Sequence, residues 1–239
     1  MNDEEYATAT SQKSKLSAQA AQNQAVWYAT YNDKLTETDP ELAEIFGNFA
    51  FGDVQQYGKL STRNRILVTM ASAIATNSIT EYRKTLYAAF SNGITPIEIK
   101  EVLYHAVPYV GMSRIEDLLE IANSFFTEKG IELPLASQSV VTSETRMEKG
   151  LALQKSIFGN QIDRMYETSP ANQLHIQQYL SANCFGDYQT RPVFDAQTRE
   201  LLTFAILISL GGCDPQVKGH IAGNVNVGNN KQTLLTVAT

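Results

Sequence analysis

Three residues in the second half of the chain have side chains suited to proton transfer or thiol chemistry: Glu200, Cys213 and His220. Cys213 lies just before a predicted helix, where aligned backbone dipoles and free N–H groups stabilise a thiolate. His220 follows seven residues later, so both side chains share one face of that helix. Glu200 lies on the preceding predicted helix. If the two helices pack antiparallel, the carboxylate can orient the imidazole while the imidazole takes or gives a proton.

The same three residues also have a purely structural interpretation. A lone cysteine in a helical protein is more often a small buried hydrophobic residue than a nucleophile, and a lone histidine is more often a satisfied structural residue. The spacing alone leaves both interpretations open.

Two further polar residues, Arg199 and His105, are candidates for binding a substrate. Arg199 lies just inside a predicted helix and recurs as Arg65 in the first half of the chain. It can form a structural salt bridge, for example to Asp187, or it can clamp a substrate carboxylate. His105 can line a cleft or donate to a backbone carbonyl. Cys184 is interpreted as a packing residue.

The chain contains an internal repeat. Phe51-Gly52-Asp53 recurs as Phe185-Gly186-Asp187, an offset of 134 residues, and the similarity continues in register beyond it. This period is far too long for a solenoid, so it indicates two copies of a whole domain. We divide the chain into an N-terminal helical segment (1–38), a first copy (39–135), a linker (136–146) and a second copy (147–239).

Both copies are predicted to be all-α. Apolar residues recur at three- and four-residue spacing, and alternating strand patterns with turn dipeptides are scarce. Thr95-Pro96-Ile97-Glu98 is a helix start with a capping box. The predicted helices are Thr62–Ala75, Thr80–Ser91, one that begins at Pro96 and is interrupted at Val110-Gly111, Ile115–Phe126, Ala196–Leu210 and Asp214–Asn226.

The two copies differ in ways that affect function. The first copy holds Ile66, Ser78 and Thr85 at the positions that correspond to the acid, the thiol and the imidazole. The second copy ends before the counterpart of His105, so we expect it to be truncated and to expose apolar helix faces. The segment 14–34 or a neighbouring subunit can cover these faces; alternatively, the sequence is simply shortened.

The composition excludes several classes of protein. The formal net charge is −6, which disfavours nucleic-acid binding and attachment to anionic membranes. With two cysteines, the chain is neither a disulfide scaffold nor a cysteine-pair zinc site. No signal peptide or membrane span is visible, and we expect a cytoplasmic protein. Motifs for phosphate loops, nucleophile elbows and zinc proteases are missing, so we expect no cofactor or metal.

Two strings resemble the carboxymuconolactone decarboxylase family. One is Arg199-Glu200-Leu201-Leu202-Thr203, followed by His220; the other, more specific, is NGITPIEIKEVLYHAVPYVG at 92–111. The resemblance covers about Leu60 to Phe126 and Phe194 to Thr239. It implies two tandem copies of the all-α domain found in alkyl hydroperoxide reductase D proteins. Such domains assemble as trimers or hexamers, so the resemblance implies a homotrimer or another homo-oligomer.

The family contains two chemistries, and each assigns roles to these residues. In the peroxidase-like branch, a glutamate and a histidine form a proton relay for a pair of cysteines. The resemblance matches Glu200 and His220 to this relay and Cys213 to the first cysteine. Gln216 stands at the position of the second cysteine. In the decarboxylase branch, a small lactone acid loses carbon dioxide, and the dienolate is reprotonated. For this branch, the resemblance implies that His220 is the acid that donates the proton and that Glu200 orients its ring.

Three hypotheses therefore stand. The first is a lyase of the decarboxylase type that acts on a small carboxylated lactone. The second is an oxidoreductase, a peroxide reductase with peroxiredoxin-type activity that uses Cys213 and an external thiol. The third is a non-catalytic scaffold of the same fold.

Overall fold

The computed structural model describes residues 15–28, 31 and 34–239, and every regular element in these residues is helical. The all-α prediction is therefore confirmed. The α-helices are α1 Ala18–Tyr28, α2 Leu35–Thr38, α3 Pro40–Gly47, α4 Val54–Gln56, α5 Thr62–Ala75, α6 Ile79–Ser91, α7 Pro96–Val110, α8 Met112–Glu128, α9 Arg146–Phe158, α10 Gln161–Thr168, α11 Leu174–Tyr179, α12 Ala196–Leu210, α13 Asp214–Asn226 and α14 Lys231–Ala238; two π-helices, π1 Asn48–Asp53 and π2 Leu180–Gln189, precede α4 and α12 respectively.

Helix boundaries follow the local signals closely. The helices α5, α12 and α13 begin and end at the predicted residues. The capping box of α7 is present: Glu98 N donates to the Thr95 hydroxyl, and the Glu98 carboxylate accepts from Thr95 N at 2.8 Å. Such reciprocal bonds satisfy backbone donors that a helix start otherwise leaves unpaired.

Both copies of the repeated Phe-Gly-Asp triplet lie in π-helical turns, which the sequence patterns do not predict. In the second copy, α9 packs very closely against π2. Gly150 and Gly186 make this approach possible: a Cβ on Gly150 would overlap the backbone oxygen of Ser181, and a Cβ on Gly186 would overlap that of Arg146.

The hydrophobic core is continuous across the two copies. The corresponding helices α5 and α12 pack against each other at its centre. Ile66 and Leu67 of α5 and Leu202 and Ala205 of α12 are completely buried in the same cluster. Helix α7 of the first copy also packs against α12. Neither copy therefore has a core that is complete without the other.

The described part of the N-terminal segment packs against the first copy. Asn23 Nδ2 donates to the Phe51 carbonyl oxygen at 2.7 Å, and Trp27 makes an edge contact with the Phe51 ring. Residues 1–14, 29–30 and 32–33 lie outside the described residues. In the second copy, Ile221 and Val225 of α13 remain exposed.

No helix in the described ranges is both long enough and apolar enough to cross a membrane.

The contact between α9 and π2 generates a stability prediction. Replacing Gly150 with alanine should lower the free energy of unfolding by about 1–3 kcal/mol, because the added methyl group must push two backbone segments apart. The matched control is Gly219→Ala in α13, where a Cβ meets nothing within 4 Å. That variant should be stabilised by about 0.5–1 kcal/mol, since alanine favours a helix interior. Urea unfolding measures both; equal stability of the two variants would contradict this packing.

Candidate active site

Glu200 and His220 form a hydrogen-bonded acid–base pair, as their spacing predicts. His220 Nδ1 lies 2.8 Å from Glu200 Oε2. The carboxylate side chain is completely buried, whereas the imidazole is 16% exposed. An ionised carboxylate can only accept hydrogen bonds, so the pair holds a proton on Nδ1 and leaves Nε2 for a ligand.

Two residues of α13 position this pair. Asn224, one turn after His220, donates from Nδ2 to the backbone oxygens of Glu200 at 2.9 Å and His220 at 2.8 Å. Its own side-chain oxygen accepts from Asn229 at 2.8 Å. Gly223 leaves room for the carboxylate, because a Cβ there would lie 2.5 Å from Glu200 Oε2. Helices α12 and α13 are thus joined at the point where the acid and the imidazole meet.

His220 lines a cavity of about 210 Å³ in the second copy, to which the first copy contributes Tyr109. The Phe158 ring packs edge-on against the imidazole with centroids 5.4 Å apart, and Tyr109 of the first copy lies 6.4 Å away. Such a largely apolar cavity with a few polar groups is typical of a small-molecule site. Its other lining residues are Gln154, Gln161, Ile162, Met165, Leu180, Cys184, Phe185, Gln216 and Gly219.

A larger cavity, of about 510 Å³, lies between α7, α8 and residues 133–138. Its charged residues include Glu101 and Arg191, which pair with each other at 2.9 Å. We place the candidate site at the smaller cavity because the acid–base pair is there.

The two thiols are arranged differently from the sequence interpretation. Cys213 precedes α13 as predicted, but its Sγ donates to the backbone oxygen of Leu207 at 3.1 Å, and it does not line the His220 cavity. Cys184, interpreted as a packing residue, is buried and does line that cavity. Burial raises the pKa of the Cys184 thiol to about 11. The structure therefore brings Glu200 and His220 together without Cys213.

Arg199 is buried in an ion-pair cluster that joins the two copies. Its Nη2 donates to Glu101 of α7 at 2.9 Å and to the Arg191 carbonyl oxygen at 2.6 Å. Arg191 also pairs with Glu101, which lies between the two cations. The suggested structural partner, Asp187, instead pairs with Arg146 at 2.9 Å. The guanidinium of Arg199 is thus already paired with the Glu101 carboxylate. The role of Arg199 in substrate binding stays a prediction.

His105 is completely buried and links this cluster to the cavity. Its Nδ1 lies 3.3 Å from Arg199 Nη1, and its Nε2 lies 3.0 Å from the Thr203 hydroxyl. Thr203 in turn bonds to the Tyr109 hydroxyl at 3.0 Å. Burial, together with the charge of Arg199, holds the pKa of His105 well below its usual value. Whether His105 binds substrate stays a prediction as well.

Sequence reasoning missed Tyr109 and Asn224. Each lies four residues after a histidine that was singled out, His105 or His220, and so shares its helix face. That spacing is the signal that points to them. Tyr109 was missed because it reaches the site from the other copy.

The neutral state of His105 predicts how stability depends on pH. Below a pH of about 6.5, the unfolded chain protonates this histidine while the folded protein does not. The unfolded state then binds more protons, so acidification destabilises the fold. Between about pH 7.5 and 5.5, the melting temperature of His105→Gln should fall about 2–4 °C less than that of the parent protein. The control His175→Gln changes an exposed histidine and should follow the parent; equal slopes in all three proteins would contradict a neutral His105.

Comparisons with known proteins agree with this architecture. Residues 40–124 and 175–239 match the model of the carboxymuconolactone decarboxylase family. A 4-carboxymuconolactone decarboxylase from Acinetobacter baylyi is 30% identical over 99 residues, which span 41% of this chain and 74% of that protein. Tyr109 falls in the first matched segment, and Glu200 and His220 fall in the second. The two matched segments confirm the tandem repeat, and the chain belongs to the carboxymuconolactone decarboxylase family.

Proposed function

We propose that the protein is a decarboxylase that acts on a small carboxylated lactone, with His220 as the proton donor and Glu200 as its orienting partner. The observation that carries the proposal is the 2.8 Å bond between His220 Nδ1 and Glu200 Oε2 at the edge of an apolar cavity. The family relationship and the printed name of the Acinetobacter baylyi relative give further support.

The proposed reaction balances with one proton taken up for each carbon dioxide released. The bond between the carboxylate and the lactone carbon breaks, and its electron pair enters the conjugated lactone as a dienolate. Protonated His220 then transfers the Nε2 proton to the dienolate carbon α to the lactone carbonyl. Glu200 stabilises the imidazolium before transfer and keeps the ring in position. His220 regains its proton from solvent.

The cavity walls favour the movement of electrons from the carboxylate into the lactone ring. Phe158, Phe185 and Leu180 line the cavity beside His220. Apolar walls solvate a compact carboxylate poorly, whereas the charge of a dienolate is spread over several atoms. Such a cavity therefore destabilises the ionised substrate more than the transition state.

The thiols give less support to the peroxide-reductase hypothesis. The Cys213 thiol is hydrogen-bonded to Leu207 rather than turned to the His220 cavity. Gln216, at the position of the family's second cysteine, lines the cavity instead. Cys184 is the thiol beside His220, and its raised pKa disfavours the reactive thiolate.

Substitution of the acid–base pair tests the proposed function. On 4-carboxymuconolactone, His220→Gln should lower kcat roughly 10²–10⁴-fold, the usual contribution of general acid–base catalysis. Glu200→Gln should lose less, since Glu200 transfers no proton. Cys213→Ser and the exposed His175→Gln should keep full activity.

The outcomes of this experiment separate the three hypotheses. Full turnover by His220→Gln would refute the catalytic assignment. Loss of activity in Cys213→Ser, together with peroxide consumption by the parent protein, would favour the peroxide reductase. No turnover of either substrate class by the parent would favour a scaffold.

We also propose that the chain forms a homo-oligomer, with a trimer as the expected state. Leu42 and Ile45 of α3 are more than half exposed. Ile176 and Tyr179 of α11, at the corresponding positions of the second copy, are more than half exposed as well. Two matching apolar surfaces on one chain suit an assembly in which both copies make equivalent contacts.

Light scattering at micromolar concentration should give the mass of a trimer. The double substitution Ile45→Lys and Tyr179→Lys should lower that mass, because it puts charge on both surfaces. The control Lys84→Arg changes a side chain of α6, outside the residues of both surfaces, and should leave the mass unchanged. A monomeric mass for the parent protein would contradict the proposal.

A further inference from the structure

Tyr109 connects the first copy to the candidate site of the second. It lies near the C-terminal end of α7, and it lines the same cavity as His220. With 6.4 Å between their ring centroids, a single small ring placed in the cavity can contact both side chains.

The chemistry of the groups that lead to Tyr109 supports one direction for their hydrogen bonds. A guanidinium has donors only, so Arg199 Nη1 donates to His105 Nδ1 across 3.3 Å. Neutral His105 must then carry its proton on Nε2, which donates to the Thr203 hydroxyl at 3.0 Å. With its oxygen accepting from His105, the Thr203 hydroxyl can donate its own proton to the Tyr109 oxygen, also at 3.0 Å.

A second donor reaches the same phenolic oxygen. Gln189 Nε2 of π2 donates to it at 2.9 Å, and the same amide nitrogen lies 3.6 Å from Cys184 Sγ. With two bonds accepted, both lone pairs of the Tyr109 oxygen are used. Burial, reinforced by the nearby Cys184 and Glu200, also raises the pKa of Tyr109 well above its usual value, so the hydroxyl keeps its proton.

The Tyr109 proton therefore has no strong acceptor among these neighbours. In its 4.0 Å contact with Tyr109, the Cys184 thiol is the donor and the phenolic oxygen the acceptor, so this contact does not take up the Tyr109 proton. The cavity shared with His220 is the place where a ligand oxygen can accept this proton.

We propose that Tyr109 is a second catalytic residue, which donates a hydrogen bond to the substrate oxygen that becomes negative in the dienolate. This inference rests on the proposed decarboxylase function. Tyr109 transfers no proton; its bond strengthens as charge develops on that oxygen, which is the requirement for stabilising a transition state. Arg199, His105, Thr203 and Gln189 act through it as positioning residues.

This role explains what the first copy contributes. Its own counterparts of Glu200 and His220 are Ile66 and Thr85, both completely buried. Helix α7 nevertheless reaches across to α12 and supplies a polar group to the other copy's cavity. One site then depends on residues from both copies.

The kinetic test compares two tyrosines of the same helix. Tyr109→Phe should lower kcat about 10²–10³-fold, as expected when one oxyanion donor is removed, with a much smaller change in KM and an unchanged pH profile of kcat/KM. The control Tyr104→Phe alters a ring that packs on Arg191 and does not line this cavity. It should keep kcat within about twofold, a difference well under 1.4 kcal/mol.

A binding measurement separates this inference from the proposed function. Tetronic acid forms a lactone enolate at neutral pH, and 2(5H)-furanone is an uncharged lactone of similar size. By calorimetry, Tyr109→Phe should bind the enolate about 10–100-fold more weakly, the value of a hydrogen bond to a charged group, with no change for furanone.

The outcomes distinguish the two claims. Loss of enolate affinity in Tyr109→Phe, without decarboxylase activity in the parent, would support the donor role and refute the proposed function. Full kcat in Tyr109→Phe alongside an inactive His220→Gln would refute the donor role alone. Equal enolate affinity in parent and variant, or no enolate binding by the parent, would also overturn the donor role.

Discussion

The rest of the site depends on the ion pairs that the buried carboxylate of Glu101 forms with two arginines. This carboxylate lies between Arg199 of α12 and Arg191 of the preceding loop, at 2.9 Å from each. Removing it would leave two cations without their counter-charge in the interior, which is costly. Helix α7 of the first copy is thereby fixed against α12 of the second. Two turns further along α7, Tyr109 is brought beside His220.

The two copies share a fold but not this interaction. Arg65 Nη2 bonds to the Tyr57 carbonyl at 3.0 Å, just as Arg199 bonds to the Arg191 carbonyl in the second copy. At the position that corresponds to Glu101, however, the second copy has Thr236. Glu101 of the first copy therefore pairs with Arg199 of the second, whereas Thr236 of the second copy has no charge to pair with Arg65 of the first. The acid and the imidazole are likewise present in the second copy and not in the first. In the candidate site, the second copy holds Glu200 and His220, and α7 of the first copy contributes Tyr109.

Local patterns predicted the helices α5–α8, α12 and α13 and the central pair, because these depend on short-range spacing. The bounds of α12 and α13 follow from capping residues and periodicity, and the approach of His220 to Glu200 follows from two adjacent helices. The direction of the Cys213 thiol was not predictable, since it is set by the backbone just outside the helix. The salt-bridge partner of Arg199 and the contribution of Tyr109 both depend on packing between the copies, about which a pattern within one copy carries no information.

If His220 protonates one face of a dienolate held in this cavity, isotope labelling should reveal a fixed stereochemistry of proton addition. Decarboxylation of 4-carboxymuconolactone in D₂O, followed by proton NMR of the product with a chiral shift reagent, reports which carbon receives the new hydrogen and on which face. We expect one deuterium at the carbon α to the lactone carbonyl, in a single configuration, because only one face of the bound ring meets the His220 imidazole. Equal amounts of both configurations would show that solvent, rather than a fixed donor, protonates the dienolate, and would refute the role of His220 as the proton donor.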